Sequence, residues 1–191
     1  FMLEIIRSVA APIFSLVILI MGNGLFTTFV SLRLQYDGHS PAVIGFITAA
    51  FFAGLVIGSI RANRLIERVG HIRSFATFAA ITAVVTTMQA LFLNPWAWGV
   101  LRFIGGMCMA GLFMTIESWL LFKSTEKTKG QVLSIYMISF YAALAGGQFL
   151  INLASPLSYM PFGITVILTA ASIVPICVTK PTAPIIGEPS T

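Results

Sequence analysis

The chain has 191 residues, of which 58% are hydrophobic and only 9% are charged. Soluble domains carry about 25% charged residues, so too few polar groups are present here to coat a globule of this size. The composition excludes an ordinary soluble protein and favours a membrane protein. The formal net charge of +5 could suit a nucleic-acid partner, so the positions of the basic residues matter more than their sum.

Six apolar segments follow one another along the chain. Each is near or above the length of about 20 residues that a helix needs to cross a hydrocarbon layer of about 30 Å. The sequence therefore predicts an all-α membrane protein with six transmembrane helices in residues 1–178, followed by a Pro-rich cytoplasmic linker or tail in residues 179–191. The segments are approximately residues 9–32, 41–60, 74–93, 96–122, 131–154 and 160–178.

The basic residues gather on one side of the predicted membrane. The stretch from Arg61 to Arg73 follows the second segment, and Lys123, Lys127 and Lys129 follow the fourth. The positive-inside rule assigns this side, and with it both termini, to the cytoplasm. Trp96 then begins the fourth segment at the outer interface, where amphipathic rings are favoured. Because the basic residues set the topology, we expect no nucleic-acid partner.

Internal similarity predicts a repeat. Residues 24–34, GLFTTFVSLRL, resemble residues 111–121, GLFMTIESWLL, at an offset of 87 residues. Residues 43–58 match residues 132–147 at an offset of 89. Since three segments are followed by three related ones, the second triplet enters the membrane from the opposite side, as in the inverted repeats of many transporters. The alternative is coincidence, because Leu, Phe, Gly and Ala match easily by chance.

Polar residues divide the predicted helices into two kinds. The third and sixth carry only Thr, Ser and Gln89 among apolar residues, which suits helices that face lipid over much of their surface. The first, fourth and fifth carry polar groups that need partners or a wet cavity, so we expect them to line an interior pathway. The candidates for a solute or proton pathway are Asn23, Arg102, Glu117, Ser118, Gln148 and Asn152.

Two charged candidates leave alternatives open. Glu117 lies roughly 9 Å of helix rise before Lys123, where it could bind a proton or a cationic solute, or pair with Arg61 or Arg64. Arg102 lies about 22 Å away along the same helix. It could bind an anionic group or backbone carbonyls, or extend its guanidinium to the outer interface.

The sequence contains no arrangement typical of catalysis. There is no phosphate-binding glycine loop, no nucleophile with an adjacent base and no His-rich metal cluster, and both His39 and His71 are assigned to loops. Cys108 and Cys177 lie in apolar segments without metal or redox spacing. We therefore predict neither an enzyme nor a metal or cofactor site.

The basic stretch after the second segment resembles a signature of the major facilitator superfamily at Glu67, Arg68, Gly70 and Arg73. The family has Asp at the position of Glu67 and Gly at that of Asn63. The runs SLRLQYDGHSPAVIG, RLIERVGHIRSFA, and ESWL followed by GQVLSIYM, resemble the YcaD-like branch. In the family this loop stabilises the outward-facing state.

The resemblance implies the N-terminal six-helix half of a secondary active transporter in a bacterial cytoplasmic (inner) membrane. Such a protein moves a small solute by alternating access, and a second six-helix half would come from the same chain, a homodimer or another subunit. A similar Arg-bearing motif makes Arg102 a candidate in proton coupling, whereas the Gly-Pro pair of the antiporter motif is missing from the fifth segment. The alternative is a non-transporting membrane subunit or assembly factor of a larger complex.

Overall fold

The computed structural model describes the backbone of residues 2–179 and the side chains of residues 9–179. The predicted tail in residues 180–191 lies outside the described residues. Six helices are long and apolar enough to cross a membrane, which confirms the six predicted segments. The elements, in chain order, are α1 (Met2–Tyr36), α2 (Pro41–Val69), α3 (His71–Leu91), α4 (Pro95–Lys123), α5 (Lys129–Phe149), a 3₁₀ turn (Leu150–Leu153), α6 (Met160–Ala171) and α7 (Ile173–Val178). The last two helices together form the sixth span, Met160–Val178.

The basic stretch is helical rather than a loop. Helix α2 continues to Val69, and α3 begins at His71, whose side chain is buried, so the assignment of His71 to a loop is wrong. The single residue between them is Gly70, with φ of 83°. Only glycine adopts this left-handed region without steric cost, so one residue is enough to reverse the chain. The basic stretch thus contains a tight turn between two helices.

Two of the helices start in the same way at the other end of the bundle. Ser40 precedes Pro41, and its hydroxyl accepts a hydrogen bond from the N–H of Val43 at 3.4 Å. Asn94 precedes Pro95, and its side-chain oxygen accepts from the N–H of Trp96 at 2.8 Å. A polar N-cap satisfies the free N–H groups of the first turn, and proline at the first position lacks one. These pairs fix where α2 and α4 begin.

The packing of the helices has the symmetry that two three-helix repeats require. Helix α2 packs on α4, and α5 packs on α1. Likewise α3 packs on α4, α6 packs on α1, and α3 and α6 pack on each other. Exchanging α1 with α4, α2 with α5 and α3 with α6 reproduces the same set of contacts. The bundle therefore consists of two triplets of helices with equivalent neighbours.

Glycines bring the backbones together at the closest crossings. A Cβ at Gly54 would overlap the carbonyl oxygen of Phe103, and a Cβ at Gly106 would overlap the carbonyl oxygen of Phe51, so α2 and α4 meet backbone to backbone. On the related pair, a Cβ at Gly147 in α5 would overlap the carbonyl of α1 at Met21. Small residues permit this close approach, which replaces hydrophobic packing as the source of helix association in lipid.

Two apolar cores lie along the bundle with polar residues between them. The larger core includes Leu16, Phe75, Leu112 and Ile176, and the smaller one includes Phe29, Trp98 and Phe162, all buried. Helices α1, α3, α4 and α6 each carry polar side chains at the level between the cores. We call this group the polar layer; its members are Asn23, Thr82, Thr86, Gln89, Arg102, Thr165 and Thr169.

Candidate functional site

The polar layer surrounds a small internal cavity with a volume of about 20 Å³. Side chains from α1, α2, α3, α4 and α6 line it, whereas no described residue of α5 does. A cavity of this size holds about one water-sized particle. Asn23 and Arg102, two predicted pathway residues on different helices, both line this cavity.

Arg102 is the charged residue of the cavity wall, and its side chain is only 5% exposed. The guanidinium carbon lies 4.1 Å from the ring centroid of Phe51 and 5.5 Å from that of Phe26. Its Nε–H has no hydrogen-bond acceptor among the described residues. The guanidinium is therefore enclosed within the bundle and does not extend to the outer interface.

The other polar groups of the layer differ in whether they have hydrogen-bond partners in the protein. The hydroxyl groups of Thr82 and Thr165 each donate at 2.8 Å to a carbonyl one turn earlier in the same helix. The amide nitrogen of Gln89, a residue 1% exposed, has no partner within the described part of the chain. Two buried donors, the Nε–H of Arg102 and the side-chain N–H groups of Gln89, thus remain unpaired at one cavity.

Helices α3 and α6 contribute polar side chains to this layer, whereas the sequence led us to expect the polar pathway on the first, fourth and fifth helices. Both helices do expose apolar residues, such as Val84 and Ile167, as predicted for lipid-facing helices. The polar residues of these helices that belong to the layer are buried, however, and their spacing in the sequence could have indicated it. Thr82, Thr86 and Gln89 follow at intervals of four and three residues, which places them on one face of α3, and α6 has the same four-residue interval in its own pair of threonines.

Glu117 and Ser118 lie outside the polar layer, near the end of α4. Glu117 is exposed, and among the described side chains it makes no ion pair with Arg61 or Arg64. The ion pair among the described residues joins Arg33 and Asp37 at 3.0 Å, at the opposite end of the bundle. The hydroxyl of Ser118 lies 3.0 Å from Nε2 of His71, so this bond ties the end of α4 to the start of α3.

The signature residues surround the same end of the bundle, which we call the basic end. It carries the α2–α3 turn at Gly70 and the end of α4. Glu67, Arg68 and Arg73 are all exposed there. Of the four signature residues, only Gly70 is required by the backbone, because its positive φ favours glycine. The three charged residues are available to a partner surface.

Gln148 and Asn152 belong to a stripe of exposed residues that runs along the whole of α5 and into the 3₁₀ turn. Successive members are three and four residues apart in alternation, which keeps them on one helix face. Tyr141, at the centre of the stripe, is 60% exposed. The members of this α5 stripe are Gln131, Ser134, Ile138, Tyr141, Ala145, Gln148 and Asn152, all exposed.

Helix α2 carries a stripe with the same spacing. Each member precedes one member of the α5 stripe by 89 residues, the offset of the sequence repeat. Phe52 thus corresponds to Tyr141, and Ser59 corresponds to Gln148. The members of the α2 stripe are Ala42, Gly45, Ala49, Phe52, Val56, Ser59 and Asn63, all exposed. The repeat therefore generates two equivalent exposed faces.

Comparison with known proteins places this architecture in a family. Residues 13–190 match the model of the Major Facilitator Superfamily. The MFS-type transporter YE1530 of Yersinia enterocolitica is 28% identical over 166 residues, covering 86% of this chain and 44% of the relative. The MFS-type transporter YcaD of Escherichia coli O139:H28 is 27% identical over 176 residues, covering 91% of this chain and 46% of the relative.

The chain spans about half the length of these curated relatives. The family match covers both triplets of helices and the polar layer. It confirms the resemblance seen in the sequence, including its YcaD-like character, and it supports a multi-pass membrane protein that is not an enzyme. On these grounds, the chain belongs to the Major Facilitator Superfamily.

Proposed function

We propose that this six-helix bundle is one half of a secondary active transporter that moves a small solute across a bacterial cytoplasmic membrane by alternating access. Family membership and the half length of the chain relative to its relatives support this assignment. The observation that carries it is the pair of exposed stripes on α2 and α5.

The stripes need a protein partner because of their polar members. Gln131, Gln148 and Asn152 on the α5 stripe are exposed in a span apolar enough to cross a membrane, and their side-chain amides have no partner among the described residues. The hydroxyls of Ser134 and Ser59, in contrast, donate to carbonyls of their own helices. Polar groups that face hydrocarbon cost free energy unless they meet partners or water. A second six-helix half, together with a solute pathway between the halves, would supply both.

The repeat relation between the stripes suits a rocking motion. Ser59 lies in the part of α2 nearer to the basic end, whereas its counterpart Gln148 lies near the far end of α5. A second half that rocks across both stripes would close one end while it opens the other, as alternating access requires. A rigid docking partner would cover both ends at the same time.

The predicted site residues take distinct roles in this proposal. Glu117, exposed on α4, is the group that could exchange a proton or bind a cationic solute from the basic end. Glu67, Arg68 and Arg73 would contact the second half when the basic end is closed, which corresponds to the outward-facing state under the positive-inside orientation. Asn23 and Arg102 belong to the interior of this half rather than to its stripes.

The experiment is a paired accessibility measurement in the full-length protein. Single cysteines are introduced as Ser59→Cys and Gln148→Cys after Cys108 and Cys177 have been replaced. Labelling by a membrane-impermeant maleimide is followed in vesicles of both orientations, with a panel of solutes and with imposed proton gradients. We expect conditions that raise labelling at one position to lower it at the other. The control is Val174→Cys, exposed on α7 outside both stripes, whose labelling should stay constant.

The same measurement separates the transporter from the alternative of a non-transporting subunit. A permanent partner would protect both cysteines equally under every condition. Equal and invariant protection of Ser59→Cys and Gln148→Cys would therefore overturn the transport proposal in favour of a docking role. Where the labelling alternates, Glu117→Gln should suppress its dependence on the proton gradient if Glu117 couples protons.

A further inference from the structure

The polar layer contains a positive charge for which the described residues provide no counter-charge. Burying a guanidinium is costly unless it is paired, and arginine does not lose its proton in proteins. The aromatic faces of Phe51 and Phe26 offset part of this cost through cation–π contacts. That leaves a net positive interior in which a donor, the Nε–H of Arg102, is unused.

The carboxylates whose side chains the structure describes do not line this cavity. The described ones are Asp37, which pairs with Arg33, and Glu67, Glu117 and Glu126, none of which lines the cavity wall. Glu4 belongs to the first turns of α1, nineteen residues before Asn23. That separation is roughly 28 Å of helix rise.

The unpaired groups around the cavity are donors. The amide nitrogen of Gln89 adds two N–H groups to the Nε–H of Arg102, and both residues are more than nine-tenths buried. A buried positive charge with unpaired N–H donors at the same cavity suits an anion. The cavity volume of about 20 Å³ suits one particle near the size of water.

From this geometry we infer that the cavity between Arg102 and Gln89 is a binding site for one monatomic anion of chloride size, enclosed within this half of the protein. The ion would neutralise Arg102 and accept from both unpaired donors. The inference goes beyond the proposed function and does not depend on it, since the cavity is formed inside a single bundle. A bundle with another membrane role would bind the ion equally well.

The test is anion-dependent thermal stability of the purified full-length protein. The protein is brought into gluconate buffer and titrated with sodium chloride or sodium bromide at constant ionic strength. A ligand that binds only the folded state raises the unfolding temperature along a saturable curve. We expect saturation by chloride and by bromide, and no effect of additional gluconate.

Three variants make the result specific. Gln89→Leu removes one donor and should weaken the apparent chloride affinity at least tenfold, because a hydrogen bond to a charged group is lost. Arg102→Lys keeps the charge and should retain saturation at a changed affinity, whereas Arg102→Met should lose it. The control Arg61→Gln removes one exposed arginine and should leave the curve unchanged.

Two outcomes would overturn the inference. A wild-type unfolding temperature that does not depend on chloride would mean that the cavity holds water only. A dependence that Gln89→Leu and both Arg102 variants leave unchanged, and that Arg61→Gln abolishes, would mean that the ion binds at the surface. If Arg102→Met does not fold, the chloride affinities of Gln89→Leu and of the wild type still test the inference. Alternating labelling of Ser59→Cys and Gln148→Cys is measured separately, so either proposal can fail alone.

Discussion

The polar layer and the two stripes both place polar groups in membrane-crossing helices, but the bundle encloses only the layer. Arg102 is 5% exposed, whereas Tyr141 at the centre of the α5 stripe is 60% exposed. In the layer, neighbouring helices of the same half surround the polar groups. On the stripes, the described residues provide no cover. The difference indicates that the bundle covers its own core and leaves its α2 and α5 faces uncovered among the described residues.

Helix α2 packs one face against α4 and carries its stripe on another face. We expect the largest loss of stability from a substitution where α2 contacts α4. Gly54→Ala places a methyl group against the carbonyl of Phe103, so the helices must separate, and we expect a loss of about 3 kcal/mol or more. Size-exclusion chromatography in detergent with a thermal ramp measures it. Gly45→Ala is the matched control on the stripe, where a Cβ meets nothing within 4 Å.

If Gly45→Ala destabilised the bundle as much as Gly54→Ala, the distinction between the inner face and the stripe of α2 would be wrong. The expected result for Gly45→Ala is a small change, because alanine is a better helix former than glycine by about 0.5–1 kcal/mol.

The adjacent residues Phe51 and Phe52 test the same distinction at the guanidinium. Phe51→Leu removes the ring that lies 4.1 Å from Arg102 and should lower the free energy of unfolding by about 2 kcal/mol. Phe52→Leu changes a side chain that is 57% exposed and should alter it by less than about 0.5 kcal/mol. Unfolding temperatures of both variants in the same detergent give the comparison. Equal shifts would show that the contact with Arg102 contributes nothing.

The α2–α3 turn belongs to neither the polar layer nor the stripes, so a variant there gives a reference value for the changes in stability. Gly70→Ala forces a side chain into the left-handed region at φ of 83°, which should cost about 1 kcal/mol. Gly130→Ala, at the start of α5 where a Cβ meets nothing within 4 Å, is its control and should be neutral or slightly stabilising. Thermal unfolding measures both, and a neutral Gly70→Ala would contradict the strained turn.

The smallest effect on stability is expected on the α5 stripe. Gln148→Leu should change the free energy of unfolding by less than about 0.5 kcal/mol because its side chain has no partner in the described bundle. The same variant should reduce the alternating labelling of Ser59→Cys severalfold, since it alters the face on which the second half moves. Normal alternation in Gln148→Leu would remove this residue from the moving interface.

Much of this architecture was predictable from the sequence because lipid imposes simple rules. Hydropathy located all six spans, and the repeat anticipated the equivalent neighbours of the two triplets. The polarity of Asn23 and Arg102 in apolar helices suggested interior positions, and both residues line one cavity, whereas their role in a pathway stays a prediction.

The sequence could not show which side of each helix is covered. The hydroxyl of Thr82 donates to the carbonyl of Phe78 in its own helix, so a threonine here does not require an interior position. Gln148 lies on an exposed face of this bundle, and its predicted place in a pathway stays a prediction. The helical extension of α2 to Val69 was hidden because charged residues end the apolar pattern before the helix ends.

The most direct test of the central account is photo-crosslinking from the middle of each stripe in native membranes. A benzophenone amino acid replaces Phe52 or Tyr141 in the full-length protein, and Val84, an exposed residue of α3, serves as the lipid-facing control. The account predicts crosslinks to protein segments outside this bundle from both stripe positions, and to lipid alone from Val84. Lipid adducts alone from Phe52 and Tyr141 would contradict it, because the stripes would then have no protein partner.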